Sequence, residues 1–172
     1  MLITLTGNPG HVKSFDYLGL HRYSLTFCTN HRALFFTDKG RVDLVLEQIL
    51  RSATENEFAI VAYCFMPDHL HLLVEGLSDR SNGLLFIDRA KQYSGYYFKK
   101  AFRTKLWQRY GFEHTLRNDE ATLSVARYIL ENPLRAGLVE RVQDYPFLGS
   151  LMYSLEQILD AVAMMPRSAK SR

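Results

Sequence analysis

The feature that most limits what this chain can fold into is the run "EFAIVAYCFMPDHLHLLVE", residues 57–75. Residues 57–65 read as a buried strand, and residues 69–75 read as the next one. Met66-Pro67-Asp68 joins them. Pro67 has no amide to donate and suits a turn between strands. On the second strand alternate residues share a face, so His69 and His71 project together while Leu70 and Leu72 project the other way. Two imidazoles on one face form part of a coordination sphere for a divalent cation. Two ligands alone rarely hold a metal, and an oxygen donor from elsewhere would suit Mg²⁺ or Mn²⁺. Taken alone, H-x-H reads as an exposed polar pair. It becomes a metal site only if a third ligand and a nucleophile join it.

The flanking segments supply a fold around this pair. Residues 21–29 alternate Tyr23, Leu25 and Phe27 on one face. Residues 37–53 place Val42, Val45, Leu46, Ile49 and Leu50 at helical spacing. Ser81 or Asn82 caps a helix running to about Phe102. Residues 105–117 read as a strand, bent at Gly111. A further helix over 118–132 stops at Pro133. The chain is therefore α+β, a ferredoxin-like βαββαβ unit with an antiparallel sheet, followed by a C-terminal helix and a short extension. With helices on one face of the sheet, the histidine face is expected to be open. The expected divisions are an arm over 1–20, the main domain over 21–150, and a helix with a basic tail over 151–172.

Composition narrows the setting. The 172 residues are 47% hydrophobic, which suits one compact domain with a real core. The longest apolar stretch, Phe58 to Met66, is too short to span a membrane, and the N-terminus lacks the pattern of a signal peptide. Cys28 and Cys64 read as two reduced core thiols, consistent with a cytoplasmic protein. The net charge is +3, and its distribution matters more than its size. From Arg89 to Arg109 there are seven basic residues and no acid, interleaved with Tyr93, Tyr96, Tyr97, Phe98, Phe102 and Trp107. Cations there can meet phosphates and aromatic rings can stack on bases, although a solvated helix face backed by core aromatics fits the same pattern.

The segment "TLSVARYILENP" carries the complement to the histidines. Leu123, Ala126 and Leu130 form its apolar stripe. Ser124, Tyr128 and Asn132 form an i, i+4, i+8 row on another side. An ionisable phenol thus lies off the core stripe, one turn before an amide oxygen. The row also fits a tyrosine packed on a neighbouring segment and an asparagine ending a helix. Joined to the histidine pair it has a chemical reading: His69, His71 and Asn132 hold a metal, and Tyr128 attacks a phosphodiester. The other tyrosine in reserve for that role is Tyr93, on the basic helix.

In order along the chain, "YSLTFCTNHRALF", "FAIVAYCFMPDHLHLLVEG", "LWQRYGFEHTLR", "ARYILENPLRAGLV" and "DYPFLGS" resemble the REP-associated tyrosine transposases, which belong to the single-tyrosine HUH transposases of bacterial insertion sequences. The likeness runs from about Tyr23 to Ser150. It implies that His69 and His71 are the metal-binding histidines, that Asn132 completes the site with Mg²⁺ or Mn²⁺, and that Tyr128 is the nucleophile. It implies cleavage and rejoining of single-stranded DNA at hairpin, REP-like elements through a 5′-phosphotyrosine that leaves a free 3′-OH. A bacterial, nucleoid-associated protein acting as monomer or homodimer follows, with no membrane partner. Asp68 stands where relatives often carry Asn, which bears on the turn rather than on a ligand. Lys91, Lys99, Lys100, Arg103, Lys105, Arg109 and His114 are the candidate DNA contacts. The alternatives are a domesticated hairpin-binding protein without catalysis and a hydrolase of small phosphoesters on the same sheet.

Overall fold

The computed structural model describes residues 16–109, 112–116 and 122–161, without the side chains of 112–114 and 161. The N-terminal fifteen residues, the bend at Gly111, the first residues of the helix expected from 118 and the basic tail lie outside this range. Five strands and five helices follow in order: β1 Arg22–Cys28, α1 Lys39–Glu55, β2 Phe58–Met66, β3 His69–Gly76, α2 Gly83–Phe102, β4 Phe112–Thr115, α3 Thr122–Leu130, α4 Asn132–Arg135, β5 Leu148–Gly149 and α5 Leu155–Ala161. The sheet order is β4-β1-β3-β2-β5, and every neighbouring pair is antiparallel. The first four strands have the expected ferredoxin-like order. The two-residue β5 adds to the β2 edge, limiting the unpaired backbone there.

Local chemistry accounts for the elements. Asp38 caps α1 by accepting from the Arg41 amide, and Asn82 caps α2 by accepting from Leu85. Arg103, with φ +57, stops α2 in the left-handed conformation and bonds back to Lys99. The β2–β3 hairpin pairs Met66 with His69 and runs in register to Ala62–Leu73; Val61 forms a bulge, and pairing resumes at Ile60–Val74. One side of the sheet presents Tyr23, Leu25, Phe27, Phe65, Leu70, Leu72 and Val74 to the stripes of α1 and α2, closing the main core. Each fully buried Leu or Phe there contributes about 1.5–3 kcal/mol relative to exposure.

Three expectations are corrected. The histidine face is not left open. Ala62, Cys64, Met66 and Leu73 on that face pack against Ala126, Ile129 and Leu130 of α3 and Ile158 of α5, making a second core. The uninterrupted apolar run of β2 reflects this, because a strand covered on both sides has no polar face to show. The strand expected over 105–117 is shorter. Residues 103–109 form an irregular connection in which Leu106 and Trp107 bury into the main core, and only Phe112–Thr115 pairs with β1. The helix expected to stop at Pro133 breaks one residue before Asn132, and Pro133 sits in the first turn of α4, where a missing amide costs little. At the N-terminal side, Tyr17 is buried and stacks on Tyr23 at 6.0 Å between centroids, and its carbonyl accepts from Gly83.

Candidate active site

His69 and His71 lie on β3 with their Nε2 atoms 3.0 Å apart. The Nδ1 of each ring has its own partner. Asp68 Oδ1 lies 2.5 Å from His69 Nδ1, and Thr26 Oγ1 lies 3.0 Å from His71 Nδ1. An ionised carboxylate only accepts, so His69 donates through Nδ1 and its Nε2 keeps a lone pair. The Nε2–Nε2 contact then needs His71 to donate, which makes His71 Nδ1 the acceptor for the Thr26 hydroxyl. Thr26 can reverse that bond. With His71 Nδ1–H donating to Thr26, both Nε2 lone pairs face the same point. Two donors at right angles on one ion, each at ~2.1 Å, stand ~3 Å apart, the spacing seen here. Burial pushes the His71 pKa down to about 4, helped by the charges of His69, Arg135 and Arg32, so the ring is neutral at ordinary pH.

The turn that aims this pair is held from β1 and the loop after it. Thr29 donates to the Asp68 carbonyl through both its amide, at 3.0 Å, and its hydroxyl, at 2.9 Å. The Phe36 amide bonds the Pro67 carbonyl at 3.0 Å. Arg32 places Nε 2.8 Å from Asp68 Oδ2 and Nη1 2.8 Å from Cys28 Sγ. His31 and Arg32 both take φ +55 to make this approach, a conformation costly for side-chain-bearing residues. An Arg32–Asp68–His69 chain of contacts results. Sequence reading noted Asp68 only as a departure and missed Thr26, Thr29 and Arg32. The Thr26 signal is its position opposite His71 in the β1–β3 register. Cys28 is only partly buried, whereas Cys64 is fully buried and burial pushes its thiol up to about 12.

The helix carrying Tyr128 packs on this same face of its own chain. Ala126, Ile129 and Leu130 point inward, as the apolar stripe required, and Tyr128 is 63% exposed. Asn132 Nδ2 donates to the Ile129 carbonyl at 2.9 Å, which leaves its Oδ1 as the free acceptor of the amide. Among the described residues no hydrogen bond joins Tyr128 or Asn132 to either histidine, and no set of three or more His, Cys, Asp or Glu side chains is placed to hold a metal ion. The structure thus brings both halves to one face of the sheet and joins only the histidines directly. The guanidinium of Arg135 covers the Tyr128 ring at 3.8 Å, and Arg135 Nη2 donates to the Tyr128 carbonyl at 2.6 Å.

The basic segment belongs to the other layer. Helix α2 packs with α1 beneath the face opposite the histidines. Lys99, Lys100, Arg103, Lys105 and Arg109 are exposed there. Lys91 is not an open phosphate contact: its Nζ donates to the Gln108 and Arg109 carbonyls at 3.2 and 3.4 Å, and burial lowers its pKa. Lys91, Lys99, Lys105 and Arg109 line a shallow groove of about 330 Å³ with Trp107 at its wall. Tyr93 is in this layer too, donating to Glu55 Oε2 at 2.7 Å beneath the Arg51 guanidinium, so the reserve nucleophile faces away from the histidines. His114 pairs with Ser24 on β4, and its side chain lies outside the described residues.

Residues 18–132 match the family described as "Transposase IS200 like". The chain belongs to that family. The chain is 32% identical over 101 residues to a Haemophilus influenzae protein assigned to the REP-associated tyrosine transposases, across 52% of its own length and 57% of the relative's. It is 26% identical over 121 residues to the REP-associated tyrosine transposase of Escherichia coli K12, across 69% of its own length and 68% of the relative's. Its fold matches that of a REP-associated tyrosine transposase solved bound to a REP hairpin, with a TM-score of 0.65 at 21% identity over 91% of this chain and 94% of that one. No helix among the described residues is long and apolar enough to cross a membrane.

Proposed function

We propose that this transposase cleaves and rejoins single-stranded DNA at hairpin elements, with Tyr128 as nucleophile and His69, His71 and Asn132 as the ligands of a divalent cation. The observation that carries the reading is the His69–His71 pair itself, with Nε2 atoms 3.0 Å apart and a separate Nδ1 partner for each ring. The chemistry of that donor set suits an ion: two imidazole nitrogens and the oxygen of an amide whose nitrogen is held by its own helix. When bound, Mg²⁺ or Mn²⁺ would supply Lewis-acid polarisation of a phosphoryl oxygen.

The chain's own groups do the rest. With the Thr26 bond reversed, Asp68 and Thr26 each accept from an imidazole Nδ1–H, and both Nε2 atoms are left free for an ion. In the proposed step the Tyr128 oxygen forms a bond to phosphorus and the bond from phosphorus to O3′ breaks. The phenolic proton leaves to water, and O3′ takes one up. The product is a 5′-phosphotyrosine and a free 3′-OH. The phosphodiester is exchanged rather than hydrolysed, so attack by a 3′-OH reverses the step without an energy source. The exposure of Tyr128 supports access by a strand. The exposed cations of α2 are proposed to hold DNA phosphates on the opposite layer, so a DNA touching both must pass around an edge of the sheet. The hairpin reported for the solved relative is the first substrate to try.

The experiment is incubation of the protein and Mn²⁺ or Mg²⁺ with a labelled hairpin carrying a single-stranded flank. A covalent protein–DNA adduct forms with the wild type and is absent with Tyr128→Phe, with His69→Ala and after chelation. Adduct from Tyr128→Phe contradicts the nucleophile; adduct in chelator contradicts the metal.

A further inference from the structure

The helix of Tyr128 packs on the histidine face of the sheet, and one cation sits against the Tyr128 ring. Arg135 lies seven residues after Tyr128. The chain leaves α3 at Glu131, restarts as α4 with Pro133 in its first turn, and closes at Gly137 with φ +70. This corner lets the Arg135 side chain return over α3. Its guanidinium carbon sits 3.8 Å from the Tyr128 ring centroid, and Nη2 donates to the Tyr128 carbonyl at 2.6 Å. Its acidic neighbour, Glu131, pairs with it only at long range. Glu131 bonds tightly to Arg127 at 2.7 Å and lies 3.8 Å from Arg135 Nη1. Arg127 in turn donates to the Leu159 carbonyl of α5, so Glu131 is occupied by a residue anchored to the second core.

We propose that Arg135 is the positioning residue for Tyr128, stacking on its ring and keeping a cation beside the phenol on the histidine face. This rests on the reading of Tyr128 as nucleophile. An exposed tyrosine samples several rotamers, and a stacked, hydrogen-bonded guanidinium restricts them. A planar fork does both at once, which an ammonium does not. The same cation then lies where charge gathers as an oxygen of Tyr128 joins a phosphate.

The test measures single-turnover adduct formation and hairpin affinity separately, with Mn²⁺, for wild type, Arg135→Met, Arg135→Lys, Arg135→Gln and Tyr128→Phe. Arg135→Met is expected to slow adduct formation about ten-fold or more while hairpin affinity stays within about two-fold. Arg135→Lys recovers part of the rate through its charge. Arg135→Gln retains a donor for the Tyr128 carbonyl but not the cation, and stays slow; it carries the comparison if Arg135→Met does not fold. In the metal-free protein without DNA, ring-current shifts on the Arg135 side-chain protons are present and vanish in Tyr128→Leu. A wild-type rate in both Arg135→Met and Arg135→Gln, or an equal loss of rate and affinity, overturns the positioning role while Tyr128→Phe still abolishes adduct. Adduct from Tyr128→Phe overturns the underlying reading instead.

Discussion

At the histidine pair, the residue-scale claim is that Thr26, Asp68 and Arg32 prepare His69 and His71 for a cation. Thr26→Val removes the hydroxyl that, among the described residues, is hydrogen-bonded to His71 Nδ1. It is expected to weaken Mn²⁺ binding by about ten-fold or more, measured by calorimetric titration of the protein without DNA. An unchanged affinity would remove Thr26 from the site. The depressed His71 pKa has a consequence for stability. The unfolded ring titrates near 6.5 and the folded one near 4, so between these values the unfolded state holds more protons. Stability from this group is full above about pH 6.5 and is lost as pH falls toward 4, by up to ~3 kcal/mol. In chelator, the melting midpoint should fall across that window, and His71→Gln should flatten the fall. Much of this site was readable from sequence, because strand alternation puts His69 and His71 together and helical spacing puts Tyr128 off its stripe. Thr26 and Arg32 were not readable. Thr26 meets His71 only through the register of strands 45 residues apart, and Arg32 reaches Asp68 only through two left-handed backbone positions.

At the scale of elements, close approaches set which glycines are replaceable. A Cβ on Gly76 would stand 2.2 Å from the Gly19 carbonyl oxygen, a backbone atom that cannot swing aside. Gly76→Ala is expected to cost about 2 kcal/mol or more, read by urea denaturation. Gly40, in the first turn of α1, meets only Asp38 Oδ1, at 3.4 Å. Gly40→Ala should stabilise by about 0.5–1 kcal/mol through helix propensity. The β2–β3 hairpin and the two main-core helices were legible, since period and turn residues agreed. The 103–109 segment was not. Leu106 and Trp107 look like strand residues, yet the left-handed stop at Arg103 turns the chain and the Trp107 indole bonds Ser94 inside the core. No local pattern distinguishes an apolar residue filling a core from one lying in a strand.

At the scale of the whole molecule, the sheet separates two layers. Helix α2 and the segment after it carry the exposed Lys99, Lys100, Arg103, Lys105 and Arg109, and α3 with α5 packs on the histidine face. The continuous apolar run of β2 held the sign of that second covering, and the periodicity of α3 supplied the stripe that makes it. If the α2 layer holds DNA and the α3 layer cuts it, the two functions separate by mutation. Reversing Lys99, Arg103 and Lys105 to Glu should weaken hairpin binding at least about ten-fold and flatten its salt dependence, while Mn²⁺ affinity is unchanged. Retained hairpin affinity would move the DNA to another surface. The measurement that bears most directly on the central claim is the location of the DNA linkage. The adduct formed with Mn²⁺ is digested with protease and nuclease, and the peptide retaining a phosphonucleotide is sequenced by mass spectrometry. The nucleotide is predicted on Tyr128, in the peptide containing Tyr-Ile-Leu-Glu-Asn; a nucleotide on Tyr93 or on any other residue would contradict it.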